Sequence, residues 1–141
     1  MIRLSLIGVR VEVPTNQPIV LLREEEGTRF LPIFIGSPEA TAIVYALQGL
    51  ATPRPLTHDL FKTVLDDLSV KLDRGGDKSR ISSRPSDAIA LAVRFGGDIP
   101  IFADEDVLDE AGVLFEADDE EQEVAQFRQF LDEVTPEDFA Q

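Results

Sequence analysis

The sequence predicts an α+β fold in which a mixed or antiparallel sheet packs against several helices, and three observations carry that expectation. The first 35 residues read as three strands joined by turns. Helix signals begin only afterwards, at a Ser-Pro-Glu run over residues 37–39. The elements thus run strand, strand, strand, helix, helix, strand, helix, strand, helix, unlike the regular strand–helix–strand alternation of a parallel sheet.

Residues 2–13 alternate as a strand does, but the apolar set moves from Ile2, Leu4 and Leu6 to Val9, Val11 and Val13. Side chains in a strand repeat every two residues, so this slip would turn the second half inside out unless one extra residue were absorbed. Gly8 is the natural place for such a bulge, which makes the segment one long bent strand. Residues 14–18 and 24–27 are turns, with a short buried strand at 19–22 and a third strand at 30–35. Pro32 cannot donate to a ladder and places that third strand at an edge or a bulge.

Ser37 is positioned to cap the first helix, Pro38 suits its first turn and Glu39 complements its dipole. Ala40, Ile43, Val44 and Leu47 form its stripe, and Gly49 marks its end. Thr57 is positioned to cap a second helix with an apolar face of Leu60, Phe61, Val64, Leu65 and Leu68, leaving Asp66 and Asp67 to water. Residues 73–80 are polar, contain a Gly-Gly pair and read as a flexible connection. A short strand near 81–83 precedes a third helix, opened by Pro85, Ser86 and Asp87, that is apolar nearly all round and ends by Gly96 and Gly97. A short strand at 99–102 and a short helix at 104–111 follow. Beyond the acidic run at 116–123, Val124, Phe127, Leu131 and Val134 share one helical face, with Phe130 beside them.

The chain has 141 residues and a formal net charge of −14, but the charge is uneven. Residues 1–103 hold 12 basic and 12 acidic side chains, while residues 104–141 hold Arg128 alone against 15 acidic ones. This divides the chain into a neutral domain, residues 1–115, and an acidic C-terminal tail with an amphipathic helix, residues 116–141. The absence of cysteine excludes disulfides, thiolate nucleophiles and cysteine-ligated metals, and a lone histidine, His58, excludes multi-histidine metal sites. The longest uncharged stretch, residues 40–53, is shorter than the roughly 20 apolar residues of a spanning helix, and no signal-like segment opens the chain. A cytoplasmic protein with no membrane partner is the expectation.

Two polar groups stand at helix starts. Glu39, Arg54, His58 and Asp59 combine carboxylates with a histidine and an arginine, the side chains that acid–base or metal-assisted phosphodiester hydrolysis uses. Glu39 and Asp59 are equally what a helix dipole prefers in its first turn. Residues 82–87 place serine hydroxyls and Arg84 before a helix N-terminus, a phosphate-binding arrangement, with capping and an Arg84–Asp87 ion pair as the simpler account. Arg74, Lys78, Arg80 and Arg84 against Asp73 and Asp77 make residues 73–84 the basic-leaning stretch of the chain. No Walker loop, dinucleotide fingerprint, nucleophile elbow or His-Glu-x-x-His motif occurs.

The runs LPIFIGSPEA at 31–40, RPLTHDL at 54–60 and SRPSDAIALA at 83–92, in that order, closely resemble the bifunctional nuclease domain family. The resemblance covers residues 1–115, with IPIFA at 99–103 and the helix at 107–112 also fitting, and the chain resembles a bacterial member with an acidic C-terminal extension. Family members carry a longer segment, reading as a strand pair, where this chain has only residues 70–79. Plant members act on both DNA and RNA, so the resemblance implies a nuclease that hydrolyses phosphodiesters with little sequence specificity. Glu39, His58, Asp59 and Asp87 are then the catalytic candidates, and Arg54, Arg84 and Ser86 the substrate-binding ones. In that reading Glu39, Asp59 and Asp87 supply carboxylates for a divalent cation such as magnesium, Arg84 contacts phosphate and His58 relays protons.

The rival reading is a non-catalytic binding or regulatory module that works through protein–protein contacts. Its motivation is the tail, whose apolar stripe must cover its own body, a second copy in a homodimer, or another protein. A third reading joins the two: the acidic tail mimics nucleic acid and covers a phosphate-binding surface.

Overall fold

The computed structural model describes residues 1–68, 80–115 and 117–139. The connection expected over 73–80, with Arg74 and Lys78, lies largely outside the described residues.

Among the described residues the strands are β1 (Ile2–Glu12), β2 (Gln17–Glu24), β3 (Arg29–Phe34), β4 (Ile101–Ala103) and β5 (Val113–Leu114). They form one antiparallel sheet in the order β4-β1-β2-β3-β5. The slip in the β1 pattern is a bulge: Leu6 pairs with Leu22, Gly8 pairs with Leu21, and Ile7 is the extra residue between them. Leu4, Val9, Val20 and Leu22 therefore share one face, and Ile7, Ile19 and Leu21 the other. β5 pairs only with Arg29 and Phe30, so β3 is a free edge at Pro32, where no second donor is needed. Two residues are too short to show alternation, which is why β5 has no sequence signal.

The helices are α1 (Ser37–Leu47), α2 (Thr57–Asp67), α3 (Pro85–Ala92), α4 (Glu105–Ala111) and α5 (Ala117–Glu133). α1 and α3 bury Ala40, Ile43, Val44, Ile89 and Ala90 against the first sheet face. α1 ends as expected, with Gly49 left-handed at φ +63° and the Leu50 N–H bonded to the Tyr45 carbonyl. Both expected caps are displaced by one residue. Ser37 and Thr57 are the first helical residues, and Gly36 and Leu56 are the cap positions, because the Ala40 and Leu60 N–H groups reach the Gly36 and Leu56 carbonyls and close each first turn one residue earlier. Residues 80–84 are irregular, and Ile81 is exposed, so the strand expected near 81–83 is absent.

α5 lies on the second sheet face. Phe127 is buried among Ile19, Leu21 and Phe30, and its backbone approaches Gly8 so closely that a Cβ there would stand 3.1 Å from the Phe127 carbonyl oxygen. Arg10 lies over the Phe127 ring and pairs with Glu123, while Arg23 pairs with Glu120. Farther on, Val134 and Phe139 join the main core, and the Gln48 amide donates to the Leu131 and Val134 carbonyls. The apolar stripe of the tail covers the chain's own sheet.

α2 is the exception. Leu60, Phe61, Val64 and Leu68 do share one face, but they are 55, 50, 41 and 69% exposed, and no residue of the helix is buried. The half-buried side chains of the helix are His58, Asp59 and Lys62, with Leu65 the one member of the expected apolar face among them. Helical spacing reports which side chains share a face, and only packing decides which way that face points. No helix among the described residues is long and apolar enough to cross a membrane.

Candidate functional site

An open cleft of about 440 Å³ lies where α1, α2 and α3 begin, lined by Pro38, Glu39, Thr41, Ala42, Leu56, Thr57, His58, Arg84 and Asp87. Four of the candidates named from the sequence meet there in a continuous polar chain. Arg84 Nη1 lies 2.7 Å from Glu39 Oε1, and the same guanidinium donates from Nε to Asp87 Oδ2 at 2.8 Å and from Nη2 to Asp87 Oδ1 at 3.2 Å. His58 Nε2 is 3.2 Å from Asp87 Oδ1.

Local sequence explains each placement. Pro38 and Pro85 sit in the first turns of α1 and α3, so Glu39 and Asp87 project from helix N-termini where negative charge is favoured. Gly36 matters for a second reason, because a Cβ at this position would collide with the Glu39 carboxylate. The carboxylate thus folds back over the start of its own helix toward Arg84. Hydrogen bonds from Arg84 hold Asp87 below the usual carboxylate range, against a smaller opposing effect of burial, and His58 adds to the lowering. Reciprocally, Asp87 first and Glu39 second raise the Arg84 guanidinium above its ordinary value. Among the described residues, Glu39 and Asp87 are the carboxylates that line the cleft, and Arg84, with its side chain 65% exposed, is the cation that does so.

The other candidates stand elsewhere. Asp59 turns away from the cleft: Oδ2 accepts the Leu56 N–H at 2.9 Å and Oδ1 accepts Arg94 Nε at 2.6 Å. Burial raises its carboxyl, but the hydrogen bonds from Arg94 and Leu56 outweigh burial and leave it below the usual range. Ser86 is buried at the start of α3, and Arg54 is exposed in the loop before α2; neither lines the cleft. Among the described residues no group of three or more His, Cys, Asp or Glu side chains is placed to hold a metal ion.

Arg94 is the residue that sequence reasoning passed over. It follows the apolar run at 88–93 and is buried, its side chain only 4% exposed. A charge at the end of a buried helix must find partners, and that signal was present in the sequence. The pair it makes with Asp59 has a pH signature. A carboxyl lowered in the folded chain contributes stability above its ordinary value and loses that contribution as pH falls through the folded value. The stability gap between wild type and Asp59→Asn, measured by urea unfolding, is therefore expected to be full at pH 7 and to narrow below about pH 3.9. A gap that persists unchanged into acid would refute it.

The bifunctional nuclease domain matches this chain over residues 20–76 and 72–116. Two uncharacterized proteins of Mycobacterium tuberculosis, from strains CDC 1551 / Oshkosh and ATCC 25618 / H37Rv, are each 44% identical over 158 aligned positions that cover 95% of this chain and 95% of the relative. Those 158 positions exceed the 141 residues present, so the relatives carry residues without a counterpart here. The two matched stretches meet at 72–76, within the segment that reads as shortened. The coverage of the domain match and the identity to these relatives place the chain in the bifunctional nuclease domain family.

Proposed function

We propose that the chain is a nuclease that hydrolyses phosphodiester bonds of DNA or RNA with little sequence preference, using the cleft between α1, α2 and α3. The observation that supports this most is the chain Glu39–Arg84–Asp87–His58 in one open cleft. It combines a cation suited to phosphate with a histidine beside a carboxylate, the relation that keeps an imidazole in a working tautomer. Arg84 binds a non-bridging phosphate oxygen, exchanging part of its contact with Glu39 and Asp87 for the substrate. His58 takes a proton from the attacking water as the new P–O bond forms, and returns it to the departing alkoxide as the old bond breaks. Contacts made to phosphate alone carry no sequence information, which fits action on either nucleic acid.

Magnesium remains the proposed cofactor. Glu39 and Asp87, which line the cleft and pair there with Arg84, would supply the one or two carboxylates that magnesium takes while keeping several waters, whereas Asp59 turns away from the cleft to Arg94. When bound, the ion would neutralise charge that develops on the phosphate. Purified protein is expected to cleave plasmid DNA or RNA, and a chelator reports whether the metal is needed. No cleavage of either substrate, with or without added magnesium, overturns the reading.

The exposed stripe on α2 favours a second element of the proposal, a homodimer in the cytoplasm. Asp66 and Asp67 end the helix, and Arg54 and the positive end of the dipole lie at its start. An antiparallel second copy brings those opposite charges together twice while covering Leu60, Val64 and Leu68. Light scattering is expected to show a dimer for wild type and a monomer for Val64→Glu; a wild-type monomer removes this element and leaves the cleft untouched.

A further inference from the structure

We propose that Arg94 is the positioning residue of the cleft: one buried guanidinium holds together the three helices that carry Glu39, His58 and Asp87. Its three nitrogens each serve a different helix. Nη2 donates to the Ala42 carbonyl of α1 at 3.0 Å, Nη1 to the Ala90 carbonyl of α3 at 2.6 Å, and Nε to the Asp59 carboxylate of α2 at 2.6 Å. Ala42 itself lines the cleft, and Asp59 is the neighbour of His58 in the first turn of α2.

The helix that most needs holding is α2. It buries no side chain, and its apolar face points outward, so hydrophobic burial does little to place it. What fixes it to the rest of the chain is polar: Asp59 on Arg94, His58 on Asp87, and the Lys62 ammonium over the Phe95 ring at 4.9 Å. Of these, the Arg94 contact joins the best-buried cation to the first turn, where His58 stands. Only a planar fork with several donors satisfies three acceptors in three directions, which a lysine ammonium on a flexible stem does not reproduce. Arg94 touches no cleft-lining carboxylate, so its effect on chemistry passes through the placement of His58.

The proposal rests on the nuclease reading of the cleft, but its test does not depend on cleavage. His58 is the sole histidine of the chain, so its imidazole resonances are unambiguous. In wild type, Asp87→Asn is expected to shift them. In the folded Arg94→Lys and Asp59→Asn backgrounds the same substitution is expected to produce a shift at least about twofold smaller, because coupling between two residues vanishes when they no longer touch. Asp59→Asn keeps the volume and the acceptor for the Leu56 N–H, so it carries the test even if Arg94→Lys unfolds. Where cleavage is measurable, both variants should lower kcat by about 10–100-fold with KM little changed, as misplacement of a reacting group does. An equal shift in all folded backgrounds overturns the role of Arg94 whatever the chain cleaves. A chain that cleaves nothing sinks the nuclease reading and leaves the resonance test standing.

Discussion

His58→Ala is expected to lower phosphodiester cleavage by about 10²–10⁴-fold, the usual range for loss of a positioned acid–base group. The loss should fall on kcat, since the role proposed for His58 is to carry the proton in transit and Arg84, the proposed phosphate-binding group, is left in place. Asp87→Asn should produce a loss in the same direction, because Asp87 orients the imidazole at 3.2 Å and also anchors Arg84. If the two act as a unit, the double variant is scarcely worse than His58→Ala alone. Steady-state kinetics on a labelled oligonucleotide checks this. Full activity in His58→Ala would remove the histidine from the mechanism, and additive losses would separate it from Asp87.

Phe127→Ala is expected to destabilise the chain by about 3–5 kcal/mol, the cost of truncating a fully buried aromatic ring. Among the described residues of α5, Phe127 is the one fully buried on the second sheet face, packed on Ile19, Leu21 and Phe30. Its ring also carries the Arg10 guanidinium at 4.5 Å, so the ion pair of Arg10 with Glu123 should loosen with it. Urea unfolding should show a lower midpoint with an unchanged slope. A change below about 1 kcal/mol would mean that the helix rests on the sheet without stabilising it. The same geometry bears on the idea that the tail shields a phosphate site. Glu120 and Glu123 are engaged with Arg23 and Arg10, and none of the described residues of α5 lines the cleft. Removing the tail should expose Ile19, Leu21 and Phe30, costing solubility and stability.

Much of the fold was legible residue by residue. The phase slip at Gly8 reported a bulge because strand alternation leaves no other way to keep Leu4 and Val9 on one face. Gly49, Gly96 and Gly97 marked helix ends because each takes a positive φ, which other residues adopt only with strain. Of the cleft, Glu39, His58, Arg84 and Asp87 were legible as polar residues at helix starts, where the dipole and the unpaired N–H groups select such side chains.

What the sequence by itself determined is therefore periodic and local: which residues share a face, where elements stop, and which helix starts carry charge. Its motifs also pointed to the family. Only the tertiary structure decided orientation and pairing. It turned the apolar face of α2 outward, gave Asp59 to Arg94 instead of the cleft, and laid the start of α5 around Phe127 on the second sheet face while the end of the tail joined the main core beside α1. The physical reason is common to all three. Periodicity is a property of one segment, whereas burial, ion pairing and exposure depend on which segments the fold brings together from 35 or more residues apart, as it does Asp59 and Arg94.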